Sequence, residues 1–235
     1  LICLPVVAKN KEELLLQAKE LALLNPDILE WRIDGFNDVG STEKSIEALK
    51  VLCKKIYPIP LIFTCRIHSE GGMHKISRPS RLNLILESIK TGLLDILDIE
   101  LCNDENFIKS VIEASKKYNT KVILSFHDFE KTPKEEFILD KLIQAQNLGA
   151  DIAKVAIMPQ SYGDVLSLMK VTLDAREKKL EIPVVTMAMG EKGLVSRIAG
   201  GVFGSDITFA IGKTASAPGQ IPIRELRQAM SVLYR

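Results

Sequence analysis

Short apolar runs recur along the chain, and amphipathic segments of helical length separate them. The runs begin roughly 25–35 residues apart, which is the spacing of one strand followed by one crossover helix. The predicted strands are Ile2–Val7, Ile28–Asp34, Leu61–Arg66, Ile96–Leu101, Val122–His127, Ile152–Met158, Val184–Met189 and Ile207–Ile211. The segments between them predict helices, among them Lys11–Leu23, Thr42–Ile56, Glu105–Tyr118, Lys134–Leu148 and Tyr162–Lys178.

Eight strands alternating with helices in a chain of 235 residues predict a compact (β/α)8 TIM barrel. An open, doubly wound sheet is the alternative. The sequence has no Gly-x-Gly-x-x-Gly after the first strand and no P-loop, so the nucleotide-binding versions of that fold lose support. No linker, low-complexity stretch or charge block indicates a second domain, and a single barrel domain over residues 1–235 is predicted.

Residues that favour helix ends and starts agree with this division. Asn25-Pro26, Gly92 and Gly149 are helix-ending signals, and each comes shortly before a predicted strand. Thr132 followed by Pro133 predicts an N-cap and a first-turn residue for the helix Lys134–Leu148. A further helix is predicted to start at Val195-Ser196-Arg197, after the seventh strand.

Alternation along five of the strands places polar side chains on one common face. Successive strand residues point to opposite sides, and a barrel has a helix-covered outside and an interior. The polar residues lie mostly near the C-terminal ends of the strands, where barrel active sites are found. They are Glu30, Arg32, Asp34, Thr64, Arg66, Asp98, Glu100, Ser125, His127 and Lys154. Because isolated buried charges cost several kcal/mol each, this convergence predicts a polar catalytic chamber.

Lys154 lies in the apolar segment 150–160 and allows two interpretations. Burial disfavours the ammonium form, so a buried lysine can titrate low and supply the free amine that Schiff-base chemistry on a carbonyl requires. Alternatively, the side chain reaches the strand end or pairs with a carboxylate. The segment alone does not separate these interpretations, but the polar face shared with other strands favours the reactive amine.

The histidines, arginines and loops give further candidates. His127 is the only histidine at a strand end, and its unperturbed pKa of about 6.5 suits acid/base work. His68 and His74 lie on a glycine loop without metal-ligand spacing, so solvated side chains and no metal site are predicted. Arg66 and Arg197 suit a carboxylate. The small and polar residues of the loop 212–220 suit closure over a ligand.

Composition and charge exclude several classes of protein. The net charge of +1 gives no electrostatic footprint for nucleic acid or for an anionic membrane. No apolar run has the length of a membrane span, and no signal peptide is visible. Four scattered cysteines without a Cys-x-x-Cys pair predict free buried thiols, no zinc site and a cytoplasmic location. They are Cys3, Cys53, Cys65 and Cys102.

Six short motifs together resemble the type I 3-dehydroquinate dehydratases of the shikimate pathway. They are Glu30-Trp31-Arg32, Thr64-x-Arg66 followed by Glu70-Gly71-Gly72, His127-Asp128-Phe129, Lys154-Val155-Ala156-x-Met158-Pro159, Ser196-Arg197 and Ser216-Ala217-Pro218-Gly219-Gln220. They span nearly the whole chain in the order of the family. Glu-Gly-Gly or Ser-Arg alone would be weak evidence, whereas all six together are strong.

The resemblance implies a (β/α)8 barrel, usually a homodimer, that needs no metal or cofactor. It implies a lyase that dehydrates 3-dehydroquinate to 3-dehydroshikimate, the third step of the pathway to aromatic amino acids. Lys154 would form the Schiff base, His127 would be the general acid/base and Glu70 would position and tune His127. Arg197 would bind the substrate carboxylate. The residues that would hold the hydroxyls and shape the closed loop are Glu30, Arg32, Arg66, Ser216 and Gln220.

Two departures and two rival functions stand beside this interpretation. The chain starts close to strand one, so the N-terminal hairpin usual in the family is mostly missing, and Pro5 occupies a position where some relatives have a hydroxyl residue. A class I aldolase would share the lysine, but it should show a glycine-rich phosphate cradle after strands seven and eight. A non-catalytic barrel would be free to lose Lys154, His127, Glu70 and Arg197, and all four are present.

Overall fold

The computed structural model describes residues 1–213 and 217–234. The strands in the described residues are β1 (Ile2–Val6), β2 (Ile28–Arg32), β3 (Leu61–Thr64), β4 (Ile96–Glu100), β5 (Lys121–Asp128), β6 (Ile152–Ile157), β7 (Val184–Ala188) and β8 (Thr208–Phe209). The helices are α1 (Lys11–Ala22), α2 (Thr42–Ile56), α3 (Arg78–Lys90), α4 (Glu105–Lys117), α5 (Glu135–Asn147), α6 (Tyr162–Lys178), α7 (Leu194–Ala199) and α8 (Ile223–Leu233).

The strands form one eight-stranded sheet whose order follows the chain from β1 to β7, with β8 beside β1. Neighbouring strands run parallel and a helix connects each to the next, which is the (β/α)8 TIM-barrel fold class. The predicted fold class is therefore confirmed. The predicted strand ends differ from the observed ones by no more than two residues. The described chain contains no helix with the length and apolar character needed to cross a bilayer.

Residues with left-handed backbone end several helices, as predicted. Gly92, Gly149 and Asn25 have φ angles of 68°, 91° and 52°, the conformation in which helices commonly terminate. The prediction for Thr132 is wrong. Helix α5 begins after Lys134 without a side-chain cap, and the Thr132 hydroxyl instead donates to the carbonyl of Met158 at 3.3 Å. The hydroxyl that the sequence predicts as a helix cap is therefore engaged in a tertiary contact with the loop after β6.

The chain divides into two compact units. The first unit comprises Pro5–Ile123, and the second comprises residues 1–4 together with the described residues from 124 onward. In the first unit, β3 pairs with β2 and β4, so that Arg32, Thr64 and Asp98 lie in one row across the strands. On the opposite face, Trp31 packs edge-on against Phe63 with ring centroids 5.6 Å apart. The alternation of side chains along each strand thus places the charged residues on one face of the sheet and the apolar core residues on the other.

In the second unit, β6 pairs with β7 so that Lys154 lies beside Val185 and Ala156 beside Met187. The opposite face of β7 packs on α6, where the hydroxyls of Thr186 and Thr172 are 2.6 Å apart and buried. Strand β8 pairs with the first residues of β1, and Phe209 is opposite Cys3. This pairing fixes Phe209 in the same unit as Lys154.

Candidate active site

Arg32 and Asp34 form a buried bidentate ion pair in the first unit. The Arg32 Nε and Nη2 atoms donate to the two oxygens of Asp34 at 2.8 Å each, and Nη2 also donates to the carbonyl of Gly71 at 3.2 Å. The same carboxylate accepts from the backbone N–H groups of Arg66 at 3.2 Å and Met73 at 3.1 Å. Burial alone would raise the pKa of Asp34, but the bonds from Arg32 lower it. Asp34 therefore fixes both Arg32 and the backbone around the glycine loop.

Arg66 is held by two buried carboxylates. Its Nη1 atom lies 3.0 Å from Asp98 Oδ1 and 2.9 Å from Glu100 Oε1. Burial by itself would lower the pKa of Arg66, but the charges of Asp98 and Glu100 raise it. Glu30, which is also buried, accepts a bond of 2.8 Å from the Thr64 hydroxyl. Arg66, expected to suit a carboxylate, already has carboxylate partners within the protein.

Backbone conformation and close packing require glycine at both positions of the Glu70-Gly71-Gly72 segment. Gly71 has a φ of 84°, and a Cβ at Gly72 would lie 2.2 Å from the carbonyl oxygen of Arg66. Glu70 is buried at the end of a short 3₁₀ helix, His68–Glu70, and its carboxylate bonds to the thiol of Cys102. Although Cys102 is exposed overall, desolvation of its thiol and the charge of Glu70 raise its pKa to about 12.

The histidines of this loop and the four cysteines were also assigned from the sequence. His68 and His74 are exposed, as predicted, and each Nδ1 atom lies within hydrogen-bond distance of a backbone carbonyl. Within residues 1–213 and 217–234, no three histidine, cysteine or acidic side chains are grouped so as to hold a metal ion. All four cysteines are free thiols, but only Cys3 and Cys65 are buried, whereas Cys53 is half-buried and Cys102 is exposed. It follows the end of β4 instead of packing within it.

Lys154 is buried in the middle of β6, in the second unit. Its side chain is 4% exposed, and its Nζ atom lies 4.6 Å from the centroid of the Phe209 ring. A cation over an aromatic face is stabilised by the ring quadrupole while it stays out of water. The structure therefore contradicts the alternative in which the amine reaches solvent at the strand end. It places a primary amine inside the protein.

Arg197 is the second buried cation of this unit. Its residue is 2% exposed, Nη1 donates to the Phe209 carbonyl at 3.3 Å, and Nη2 donates to the Pro218 carbonyl at 3.0 Å. Its Nε atom is buried without a hydrogen-bond partner, and the described residues offer no carboxylate to its guanidinium. Burial lowers the pKa of Arg197 to about 10, so the group remains a cation at neutral pH. Such a cation is matched to an anionic ligand.

The glycines near Arg197 allow the loops after β7 and β8 to touch. Gly219 has a φ of 72°, and a Cβ there would lie 2.1 Å from the carbonyl oxygen of Gly190. The N–H of Gly190 donates to the carbonyl of Pro218 at 3.2 Å. Gln220 follows this turn and is buried. Ser216, the remaining predicted residue of this loop, lies outside the described residues.

His127 lies near the C-terminal end of β5, the strand beside β6 in the sheet. Its ring is half-buried and stacks on Phe129, with centroids 6.2 Å apart. Lys154 and Arg197 thus both contact Phe209, and the side chain of Arg32 and the backbone N–H of Arg66 both bond to Asp34. The convergence of all the predicted residues in one chamber stays a prediction.

One buried residue of the first unit has no counterpart among the predicted site residues. Arg81 on α3 bonds to Glu100 and is buried, whereas most of the predicted site residues lie on strands and in loops. A signal was present in the sequence. Arg81 shares the buried face of α3 with Leu84, Ile85 and Ser88, at the spacing of an apolar helix stripe. An arginine in such a stripe needs a buried partner.

Comparisons with known proteins agree on one family. The model of the type I 3-dehydroquinase family matches residues 2–235. A 3-dehydroquinate dehydratase of Bacillus licheniformis is 44% identical over 234 residues, which cover 100% of this chain and 92% of that protein.

Two solved structures resemble the whole chain. One is the type I 3-dehydroquinate dehydratase of Clostridium difficile with covalent modified comenic acid, at 42% identity and a TM-score of 0.95, covering 99% of this chain and 91% of that one. The other, from Geobacillus kaustophilus, has 40% identity and a TM-score of 0.96, and covers 99% and 90%.

The class of protein defined by the fold and these relatives is an enzyme with a TIM barrel. More particularly, the chain belongs to the type I 3-dehydroquinase family. The resemblance stated from the six motifs is confirmed. The relatives are dehydratases by name, and the family acts on a small-molecule substrate.

We expect Asp34→Asn to lower the free energy of unfolding by about 3 kcal/mol at neutral pH, because it leaves Arg32 as a buried charge without its partner. The pKa of Asp34 is lowered in the folded protein, so its contribution is present above the unfolded pKa of about 4 and is lost as the pH falls through the folded value. The difference between wild type and variant, measured by urea unfolding, should therefore shrink below about pH 4. Asp38→Asn, at an exposed pair with Lys44, is the control. A difference that is constant down to pH 2, or equal to the control, would contradict the role of Asp34.

Proposed function

We propose that the protein dehydrates 3-dehydroquinate to 3-dehydroshikimate through a Schiff base on Lys154, with His127 as general acid and base. The observation that carries the proposal is the pair of buried basic side chains around Phe209, Lys154 and Arg197. Lys154 offers an amine to a ketone, and Arg197 offers an uncompensated guanidinium to a carboxylate. Membership of the type I 3-dehydroquinase family supports the choice of reaction.

The first step forms the electron sink. The free amine of Lys154 adds to the C3 ketone, and loss of water from the adduct gives a protonated imine. Burial of Lys154 beside Phe209 excludes solvent from this position. The C2 proton of a β-hydroxy ketone is too weakly acidic for a histidine to remove at a useful rate, whereas next to a protonated imine its removal yields a neutral enamine. The covalently modified small molecule described for the Clostridium difficile relative supports covalent chemistry in this family.

The second step is the elimination. His127 removes the C2 proton, the enamine electrons re-form the imine and the C1–O bond breaks, and the hydroxyl leaves as water with the proton that His127 returns. Hydrolysis of the conjugated imine then releases the enone and restores Lys154. The net change is the loss of one water molecule. A position near the end of β5 supports this role, because strand ends carry catalytic groups in TIM barrels.

The remaining residues bind the substrate or orient the acid/base group. We assign Arg197 to the substrate carboxylate and Glu70 to the positioning of His127. The resemblance assigns hydroxyl binding and loop closure to Glu30, Arg32, Arg66, Ser216 and Gln220. Arg32 and Arg66 support this assignment as fixed donors, because their carboxylate partners orient both guanidinium groups.

We also propose that the chain acts as a single catalytic domain in a cytoplasmic homodimer that needs no metal or cofactor. The family resemblance supports these properties. Sedimentation of the purified protein tests the dimer, and activity after dialysis against a chelator tests the independence from metal.

Borohydride reduction in the presence of 3-dehydroquinate is expected to trap one covalent adduct on Lys154, because hydride reduces the imine to a stable amine. Lys154→Ala should form no adduct and lose turnover, followed by the absorbance of the conjugated enone product. Lys170→Ala, which removes an exposed lysine paired with Glu135, is the matched control and should behave as wild type. Peptide mass spectrometry that finds the adduct on another residue, or none, would sink the proposal. Adduct formation with a sugar phosphate instead would favour an aldolase.

His127→Ala is expected to slow elimination by at least about a hundredfold, the range that general acid/base catalysis contributes. Its complex should still be trapped by borohydride, though more slowly, because the amine of Lys154 remains. The measurement compares single-turnover dehydration with the yield of reduced adduct. Turnover near the wild-type value would refute the acid/base role, whereas a normal adduct with slow elimination would support it.

Arg197→Met is expected to raise KM by at least about tenfold, the equivalent of about 1.4 kcal/mol, because a charge-assisted bond to the substrate is lost. The carboxylate is attached to C1, the carbon whose C–O bond breaks, so kcat is expected to fall as well. Arg224→Met, at an exposed position of α8, is the control. A KM unchanged in Arg197→Met would show that another group binds the carboxylate.

A further inference from the structure

We propose that Arg81 is a positioning residue that acts on Arg66 through the carboxylate of Glu100. The inference rests on the proposed function, in which Arg66 is a substrate-binding residue. No family motif identified in the sequence includes Arg81 or Glu100. The relevant contacts all lie within the first unit.

Arg81 reaches the carboxyl ends of two strands from a helix. Its Nε atom donates to the Cys65 carbonyl at 2.7 Å, Nη1 donates to Asn103 Oδ1 at 2.9 Å, and Nη2 forms a short bond to Glu100 Oε2. The guanidinium also lies over the ring of Phe107, 5.2 Å from its centroid. The side chain is buried and every guanidinium nitrogen is engaged. It is therefore fixed in one orientation.

Glu100 connects Arg81 to Arg66. While Oε2 is held by Arg81, Oε1 accepts from Arg66 Nη1 at 2.9 Å and from the N–H of Ile67 at 3.0 Å. One carboxylate thus fixes both the guanidinium of Arg66 and the backbone just after it. Rotation of Glu100 would disturb both contacts, and Arg81 opposes it together with a longer bond of 3.4 Å from Asn103 Nδ2 to the same oxygen.

The same arrangement balances charge. Arg66 and Arg81 face Asp98 and Glu100, so that these four buried charges sum to zero. Without Arg81, Arg66 would be the one arginine of this group that faces the carboxylates of Asp98 and Glu100. Glu30 already acts on Arg66 with further negative charge. An excess of buried negative charge beside Arg66 would draw its donors towards the protein's own carboxylates and away from a substrate.

Arg81→Met tests the inference, because it keeps an unbranched side chain on Phe107 but removes the charge and the donors. We expect KM for 3-dehydroquinate to rise about tenfold or more, and kcat to change much less, since Lys154 and His127 are untouched. Arg81→Lys keeps the positive charge but loses the planar guanidinium group. Its KM should lie between those of wild type and Arg81→Met. A KM for Arg81→Met within about twofold of wild type, or one for Arg81→Lys at or above that of Arg81→Met, would overturn the proposal.

Rescue separates charge compensation from a merely structural role. In the double variant Arg81→Met/Glu100→Gln, an acceptor oxygen stays beside Arg66 and Ile67 but the uncompensated charge is gone. We expect the KM of the double variant to return to within about threefold of wild type. A double variant no better than Arg81→Met would overturn the proposal, because two structural losses should add rather than cancel.

Arg78→Met is the matched control on the same helix. Arg78 also lies over Phe107, at 5.9 Å, but it is exposed and pairs with Asp104 at the surface. Its loss removes a positive charge from α3 without touching Glu100. KM should stay at the wild-type value. A rise equal to that of Arg81→Met would point to the overall charge of α3 and overturn the role of the Glu100 contact.

A measurement without substrate distinguishes failure of this inference from failure of the proposed function. The Nε–H signal of Arg66 in a nitrogen-15 NMR spectrum, assigned by its loss in Arg66→Lys, reports on the ion pair directly. We expect the signal to shift in Arg81→Met and to return in the double variant. If wild type does not dehydrate 3-dehydroquinate, the proposed function fails, and this signal still decides whether Arg81 positions Arg66. A signal unmoved in Arg81→Met would overturn the inference.

Discussion

Glu100 holds two arginines on one carboxylate, and much of the first unit depends on that contact. A guanidinium removed from water loses its hydration, and in this unit the carboxylates of Asp34, Asp98 and Glu100 compensate for that loss. The same carboxylates also accept backbone N–H groups after β3, so the ion pairs position the loop as well. The carboxylates that neutralise the arginines therefore also fix the conformation of the loop after β3.

The second unit follows the opposite rule. Arg197 is as deeply buried as Arg66, yet its bonds go to the neutral carbonyls of Phe209 and Pro218. Carbonyl dipoles hold the side chain in place without cancelling its charge, and the lowered pKa records the cost of that burial. The arginines of the first unit are neutralised by carboxylates, whereas the charge of Arg197 in the second unit is not. An anionic ligand would therefore be stabilised most strongly at Arg197. That contrast is the physical basis for the proposed substrate carboxylate site.

Predictions from local pattern succeeded where a single strand decides the outcome. Parity assigned Glu30, Arg32, Thr64 and Lys154 to the polar face because side chains alternate whatever the neighbouring strands are. Prediction failed where a side chain chooses among partners from distant parts of the chain. Thr132 was expected to cap its own helix, but its hydroxyl bonds to the carbonyl of Met158. Arg66 was expected to suit the carboxylate of a ligand, but its guanidinium contacts two carboxylates of the protein.

The sequence by itself determined the fold class, the polar face of the strands and the family, since strand periodicity and six ordered motifs are properties of the chain alone. Only the tertiary structure decided which charges cancel. Coulomb energies depend on the separation of the charges and on their burial, and the order of residues in the sequence gives neither quantity. Arg81 reaches Glu100 from a helix, and Arg197 has carbonyls where Arg66 has carboxylates. Those contacts distinguish Arg66, whose charge is balanced by carboxylates of the protein, from Arg197, whose bonds are to neutral carbonyls.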